Sequence, residues 1–434
     1  MALDDKCVLS LTLKSGVPSI EWTWPPLPRG YRAAVLALTL VCSAHSIPAA
    51  GSDVGRRFPL ERQVFVDRAT GALLTALTTA TVDDNKLYQT HPQWTADGVY
   101  VIFYSYGRSS DGQPQIFAVN EITGEIIQLT DGPGVYATDV SVNLAPKLNK
   151  LYYLRNIEGR THLIEIDLEG LLSSDPSDAA KKIGAERVVT VLPPDYRDAG
   201  GFSLDADEKV AYFGVHLRDP PPRERGKPEP QIPGGIRAVD LVTGAYAKVI
   251  DTPFRIGHTQ ANPWVSGEIL YCNETGGDAP QRMWIVRADG SGNRPLFEEE
   301  PSDLVTHEVF IDRDHVMFNL IGRKPAQRTR PSGITVVSLR DGGVELVGQV
   351  PGPGFWHGGG TEDGLWAVGD TFDGELYLLD RRSGKRTLLT AGHSGHAHES
   401  FSPDGTRVLF QSSLLSSGKT LDLFVVNLSA ARGS

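Results

Sequence analysis

The sequence predicts an all-β chain, built as a seven-bladed β-propeller whose ring an N-terminal strand closes by completing the last blade. Three observations predict it. Gly (46) and Pro (29) are plentiful while Met (3) is scarce, so turns are many and helix-filling residues few. A unit of roughly 45–60 residues recurs seven times. The chain also ends one strand short of a full unit, and a matching segment lies near its start.

The units open on an aromatic or polar residue, turn on Asp and Gly, and enter an apolar strand. The openings are Trp94-Thr-Ala-Asp-Gly98, Ser141-Val-Asn-Leu-Ala-Pro146, Phe202-Ser-Leu-Asp-Ala-Asp207, Pro263-Trp-Val-Ser-Gly267, His307-Glu-Val-Phe-Ile-Asp312, residues 357–364 and Phe401-Ser-Pro-Asp-Gly405. Strands such as Val101-Ile-Phe-Tyr104 and Val408-Leu-Phe-Gln411 follow at once. A second strand pair then crosses a tight turn, as in Ile116-Phe-Ala-Val-Asn-Glu-Ile-Thr-Gly124 leading into Glu125-Ile-Ile-Gln-Leu-Thr130. The last unit stops after its third strand, Asp422-Leu-Phe-Val-Val-Asn427. The hairpin Val66-Asp-Arg-Ala-Thr-Gly71 with Ala72-Leu-Leu-Thr-Ala-Leu-Thr78 is expected to supply its outer strand and so remove an open edge. Two insertions, 168–185 and 218–233, are expected as surface loops, one of which could wall a cleft.

Ahead of the repeats, Arg29 and Arg32 precede an apolar run at 33–42 and small residues ending in Pro48-Ala49-Ala50. That order reads as an export signal, too short for a comfortable membrane span. Residues 1–50 are therefore expected to form an N-terminal extension and signal, and residues 51–434 the propeller. The expected location is the periplasm or the exterior, or the cytoplasm if the segment does not function. Since the only later methionines are Met283 and Met317, a start nearer the signal would need a non-Met codon, around Val17 or Leu27.

With 42 basic and 53 acidic side chains the net charge is −11, which argues against a general nucleic-acid binder. Cys7, Cys42 and Cys272 build neither a disulfide framework nor a thiolate zinc site. The histidines carry more information. His91, His258, His307, His357 and the 393–398 group all fall on the loop entering a first strand, or on that strand's first residue. First strands of a propeller line its central channel, so these positions converge on one mouth. His91 reads as a framework residue, His162, His216 and His315 as packing or surface residues, and the spacing assigns neither role to His357. His393-x-x-His396-x-His398 is costly to explain as packing. Neutral imidazole is the commonest metal ligand, and an i, i+2 pair in extended chain points to one side. His307 from a neighbouring first strand could complete the set. Nitrogen ligands without Cys suit Mn, Fe, Ni, Cu or Zn rather than Ca or Mg, and spacing does not choose among the former.

Three stretches resemble the oligogalacturonate lyases, seven-bladed propeller enzymes that degrade pectin fragments. They are Ile256-Gly-His258-Thr-Gln260-Ala-Asn262-Pro263, the run from Tyr271-Cys-Asn-Glu-Thr-Gly-Gly277 through Arg282-Met-Trp-Ile-Val286 and Asp289-Gly-Ser291 to Thr306-His307-Glu308, and His393-Ser-Gly-His396-Ala-His398-Glu-Ser-Phe-Ser-Pro-Asp-Gly405. The resemblance spans residues 58–428. It implies that His258 is the Brønsted base and that a divalent manganese is held at His307, His393, His396 and His398. This sequence has His393 where the family has Gln, which favours softer divalent ions. The resemblance also implies β-elimination on short oligogalacturonides or related uronic-acid oligomers. Arg218, Arg282 and Gln260 are candidates for contacting substrate, with surface or framework roles weighed against them. The Phe-Ser-Pro-Asp-Gly start also resembles that of TolB-like periplasmic propellers, non-catalytic binding modules that would need no imidazole cluster. A peptidase propeller lacks support, because no Gly-x-Ser-x-Gly motif is present.

Overall fold

The strand Tyr100–Tyr106 is buried at every position but its last. Such runs do not alternate, because each strand is covered on both faces by neighbouring sheets. The computed structural model describes residues 12–14, 17–19, 52–135, 140–173, 186–222, 230–274, 281–322, 331–352, 354–392 and 396–432. It divides into two units, Met1–Gly51 and Ser52–Ser434. In the first, Thr12–Lys14 pairs with Val17–Ser19; the signal-like residues 29–50 lie outside the described residues.

The second unit is a seven-bladed β-propeller of antiparallel sheets. The first strands of blades 1 to 7 are Asp83–Lys86, Val142–Ala145, Asp198–Leu204, Ile256–Ala261, Asp303–Asp312, Gly359–Gly360 and Ser400–Phe401. First strands of adjacent blades touch one another, as Asp198–Leu204 does Ile256–Ala261, so they face the axis. Seven apolar clusters sit one at each blade interface. The cluster of Trp94 and Phe103 with Leu409 and Leu423 joins blade 1 to blade 7. Aromatic pairs such as Phe202–Phe213, with ring centroids 4.9 Å apart, fill these seams. Burying each such ring contributes roughly 1.5–3 kcal/mol.

The repeated hairpin has a local cause. Asp67, Asn120, Asp240 and Asp380 each accept backbone N–H groups two and three residues on through Oδ1. The glycine that follows, at 71, 124, 244 or 384, takes a positive φ of 71–80° and closes the turn. The N-terminal hairpin Gln63–Val66 and Leu73–Ala76 lies beside blade 7, where Leu73–Ala76 pairs with Asp422–Asn427 and Gln63–Val66 pairs outside it. Arg57–Phe58 similarly adds a fifth strand to blade 1. Arg108 ties this segment down, pairing with Glu61 (2.7 Å) and with buried Asp84.

The 168–185 insertion opens as a short helix, Leu168–Leu172, with Asp167 accepting the Glu169 N–H (3.0 Å) as its N-cap. Its remainder, and 223–229 of the other insertion, lie outside the described residues. No helix among the described residues is long and apolar enough to cross a membrane.

Candidate metal centre and active site

The expected placement of His258 on an entering loop, and of His307 at the opening of its strand, needs correction. His258 and His307 sit inside first strands, at β-bulges. The register of blade 4 shifts between Gly257 and Gln260, and that of blade 5 between Thr306 and Val309. His258 and His307 take φ of 48° and 54°, and His398, just ahead of the blade 7 strand, also takes 48°. Left-handed backbone at a non-glycine residue costs roughly 1–2 kcal/mol. Three of the channel histidines hold it, and a bulge re-aims a side chain.

The rings meet around the channel. His307 lies 4.2 Å from His357, centroid to centroid, and His357 lies 4.5 Å from His398 and 5.2 Å from His396. Tyr88 of blade 1 bridges the remaining gap, 5.0 Å from His398 and 5.6 Å from His258. His393 lies outside the described residues. Trp356 shapes the cluster from blade 6: its Nε1–H donates to His396 Nδ1 (3.0 Å), and its ring stands 4.5 Å from that of His307.

Burial, then the neighbouring His357, His258, Arg282 and His398, hold His307 well below the ordinary imidazole range. Burial, then His357, Lys86, His396 and His258, do the same to His398. Both rings are therefore neutral near pH 7, the form that binds cations. Ring nitrogens of His357, His396 and His398 lie within 4.8 Å of one another, close enough for one ion. His307 Nδ1 and His357 Nε2 are buried without a hydrogen-bond partner. Buried acceptors of this kind are uncommon unless a ligand completes them. The donor set thus fits a divalent transition metal.

Several supports had no sequence signal. Lys86 is fully buried, and its ammonium donates to Leu87 O (2.8 Å), to Ser400 Oγ (3.1 Å) and to the carbonyl of His398. It fixes the loop carrying His398 from the other side of the blade 7–blade 1 seam. Gln411 does the same for His396, whose carbonyl accepts its Nε2–H (3.0 Å). Behind His357 lie two buried carboxyl groups, Asp370 and Glu399. Burial raises Glu399 well above the usual range and the Asp370 charge adds to it, so it holds its proton. Burial also works on Asp370, but His357 and backbone N–H groups outweigh it and keep the group low and ionised.

Facing the cluster, His258 is partly exposed, with Nε2 3.6 Å from Glu274 Oε2. Arg282 organises this side: its Nε–H donates to Glu308 (3.2 Å) and its Nη1–H to Glu274 (3.4 Å). Burial would lower Arg282, yet Cys272 and the carboxylates of Glu308 and Glu274 raise it well above normal. Arg282 is only 2% exposed and so serves the framework, with no open face for a substrate carboxylate. Gln260 is likewise buried, donating Nε2–H to the Glu308 carbonyl (2.7 Å). Arg218 is exposed, its nearest polar contact being Gln231 O at 3.5 Å. His91 has both ring nitrogens occupied, by Thr90 Oγ1 (2.8 Å) and Phe202 O (3.1 Å), which is a framework role.

A separate cavity of about 850 Å³ lies where first strands end, lined by Trp94, Trp264, Phe310 and Phe401 among others. None of His258, His307, His357, His396 or His398 lines it.

No family model matches the chain. It is 23% identical over 392 residues to an oligogalacturonide lyase of Pectobacterium atrosepticum, and 22% identical over 392 residues to an oligogalacturonate lyase of Dickeya dadantii. Each match covers 82% of this chain and 94% of the relative. A solved structure of an oligogalacturonate lyase in complex with manganese superposes with a TM-score of 0.72 at 21% identity, covering 88% of this chain and all of that one. Along most of its length this chain is similar to oligogalacturonate lyases, and it shares the propeller fold of the one solved with manganese.

Proposed function

We propose that the chain cleaves short oligogalacturonates by β-elimination at the histidine-lined channel mouth. The observation that supports this reading is that His258, His307 and His398, each in a left-handed backbone, belong to one chain of ring contacts, His258 to His398 through Tyr88 and His307 to His398 through His357. The relatives named above are lyases of this substrate, and one was solved with manganese.

The reaction removes the C5 proton of a uronate and expels the C4 glycosidic oxygen, leaving a C4–C5 double bond. His258 is the base. It neighbours the cluster through Tyr88, its ring is partly exposed, and a positioned imidazole contributes about 10²–10⁴ in rate. Glu274, clamped by Arg282, sets a negative charge beside the imidazolium that forms. His307, His396 and His398, with His393, would hold a divalent cation, for which manganese is the first candidate. When bound, such an ion offsets the charge that builds up beside the substrate carboxylate. A net charge of −11 disfavours long polyanions, so short oligomers suit the site.

We further infer that the hairpin Gln63–Val66 and Leu73–Ala76 completes blade 7 and closes the ring, a reading supported by its pairing with Asp422–Asn427. Residues 1–50 are read as a leader, which directs the enzyme to the periplasm or beyond. The basic residues and apolar run at 29–50 support this.

The test is a panel of uronic-acid oligomers, beginning with digalacturonate and trigalacturonate, assayed with added manganese for the ultraviolet absorbance of the unsaturated product. His258→Ala should abolish the signal while the protein keeps its metal. An active His258→Ala enzyme would refute the base assignment, and no product from any oligomer would refute the lyase reading.

A further inference from the structure

We propose that His357 is a direct ligand of the same cation, held in place by Asp370, so that this centre draws imidazoles from blades 5, 6 and 7. The proposal rests on the metal-dependent reading above and goes beyond it, because the family motif assigns His307, 393, 396 and 398 and leaves His357 without a role.

The tautomer comes first. Asp370 faces His357 Nδ1 with both carboxylate oxygens, at 3.1 and 3.0 Å. The same carboxylate accepts the backbone N–H groups of His357 and Ala397, so it acts as an acceptor, and the tautomer that fits it has its proton on Nδ1 and its lone pair on Nε2. Asp370 is itself fixed by the N–H groups of His357 (2.7 Å) and Ala397 (3.2 Å). Its own N–H donates to Glu399 (3.1 Å). The ring orientation is therefore set on one side by a carboxylate that the backbone of two blades holds still.

On the other side, Nε2 is buried and has no hydrogen-bond partner, and the His357 side chain is 0% exposed. A lone pair in that position wants a donor or a cation. The groups around it are other imidazoles: His307 at 4.2 Å, His398 at 4.5 Å and His396 at 5.2 Å between centroids. His357 offers a ligand atom within 4.8 Å of those of His396 and His398. A carboxylate bonded to the far nitrogen of a ring is the usual support of a metal-bound histidine, fixing the tautomer and raising its basicity. The Gly358-Gly359-Gly360 run that follows lets this strand pass close by: a Cβ on Gly360 would approach Ile311 Cγ2 to 2.9 Å. An added nitrogen ligand should also tilt the centre toward ions later than manganese in the divalent series.

The test uses metal-stripped full-length protein titrated with Co²⁺ and Mn²⁺, with stoichiometry and affinity read by calorimetry and the Co²⁺ ligand field by visible absorption. Wild type should bind one ion, more tightly for Co²⁺ than Mn²⁺. His357→Gln should weaken binding by at least 100-fold and alter the Co²⁺ spectrum, and Asp370→Asn should weaken it by about 10–100-fold. If wild type binds one ion and His357→Gln keeps its affinity and spectrum while His398→Gln loses both, the proposal fails and the metal-dependent reading stands. If wild type binds no transition metal, both fail. Should His357→Gln not fold by circular dichroism, Asp370→Asn decides, and unchanged affinity there overturns the proposal.

Discussion

Blade 3 and its neighbour, blade 4, both shift register within their first strands, blade 3 by two extra residues and blade 4 by one, and they fill the shift differently. Blade 3 shifts register between Asp198 and Phe202, with Gly200 and Gly201 at φ of 96° and 75°. Blade 4 shifts between Gly257 and Gln260, with His258 at 48°. Glycine enters this region of φ without strain; histidine does not. Crowding requires the glycine at 201, where a Cβ would lie 2.2 Å from Val140 O, and tightens the fit at 200, where one would lie 3.3 Å from His258 N. One bend is shaped to let neighbouring backbone through and the next to aim an imidazole. Strain of this second kind persists where the surrounding fold holds it for a task.

The largest stability loss should come from spoiling the passive bend. Gly201→Ala sets a methyl against a carbonyl in a conformation alanine avoids, and should cost about 3 kcal/mol or more in denaturant unfolding. The active bends should respond to cation. At 100 times its dissociation constant, added Mn²⁺ should raise wild-type stability by about 2.7 kcal/mol, read as a higher Tm.

A pH effect from outside either bend serves as a control. Burial, then the charges of Asp84 and Glu61, raise the Asp422 carboxyl to about 7, against the lowering effect of Arg108. This acid binds its proton more tightly when folded, so its contribution is full below about pH 4 and is lost as pH rises through about 7. Wild type should lose about 2 kcal/mol from pH 5 to 8 through this group, and Asp422→Asn should flatten that slope. The smallest change in stability belongs to His307→Asn. Asn tolerates the left-handed region, so the unfolding free energy of the cation-stripped protein should stay within about 1 kcal/mol of wild type while the Mn²⁺-induced rise in Tm disappears.

The blades were legible because each is a local pattern: an apolar run, an Asx-capped turn such as 120–124, another run. The closeness of the His396 and His398 rings, 5.7 Å apart, was legible because the two residues stand at i, i+2. The bulges were not, since nothing in Gly-His-Thr-Gln marks a left-handed histidine, and the entering loop expected for His258 and the strand opening expected for His307 gave way to mid-strand positions for that reason. Nor could Lys86, Asp370, Glu274 or Tyr88 be found, because each acts on a histidine through the folded ring. Lys86 meets the carbonyl of His398 across 312 positions of chain. Arg282 and Gln260 carry a site motif, and the fold buries both, a feature that the motif does not announce.

The Lys86 clasp has a consequence for how the molecule is made. A residue from the first blade to leave the ribosome holds a loop belonging to the last, so no truncated or partly synthesised ring can present an assembled centre. The grip on His398 therefore forms only after the segment around 398–400 has been made and has met blade 1.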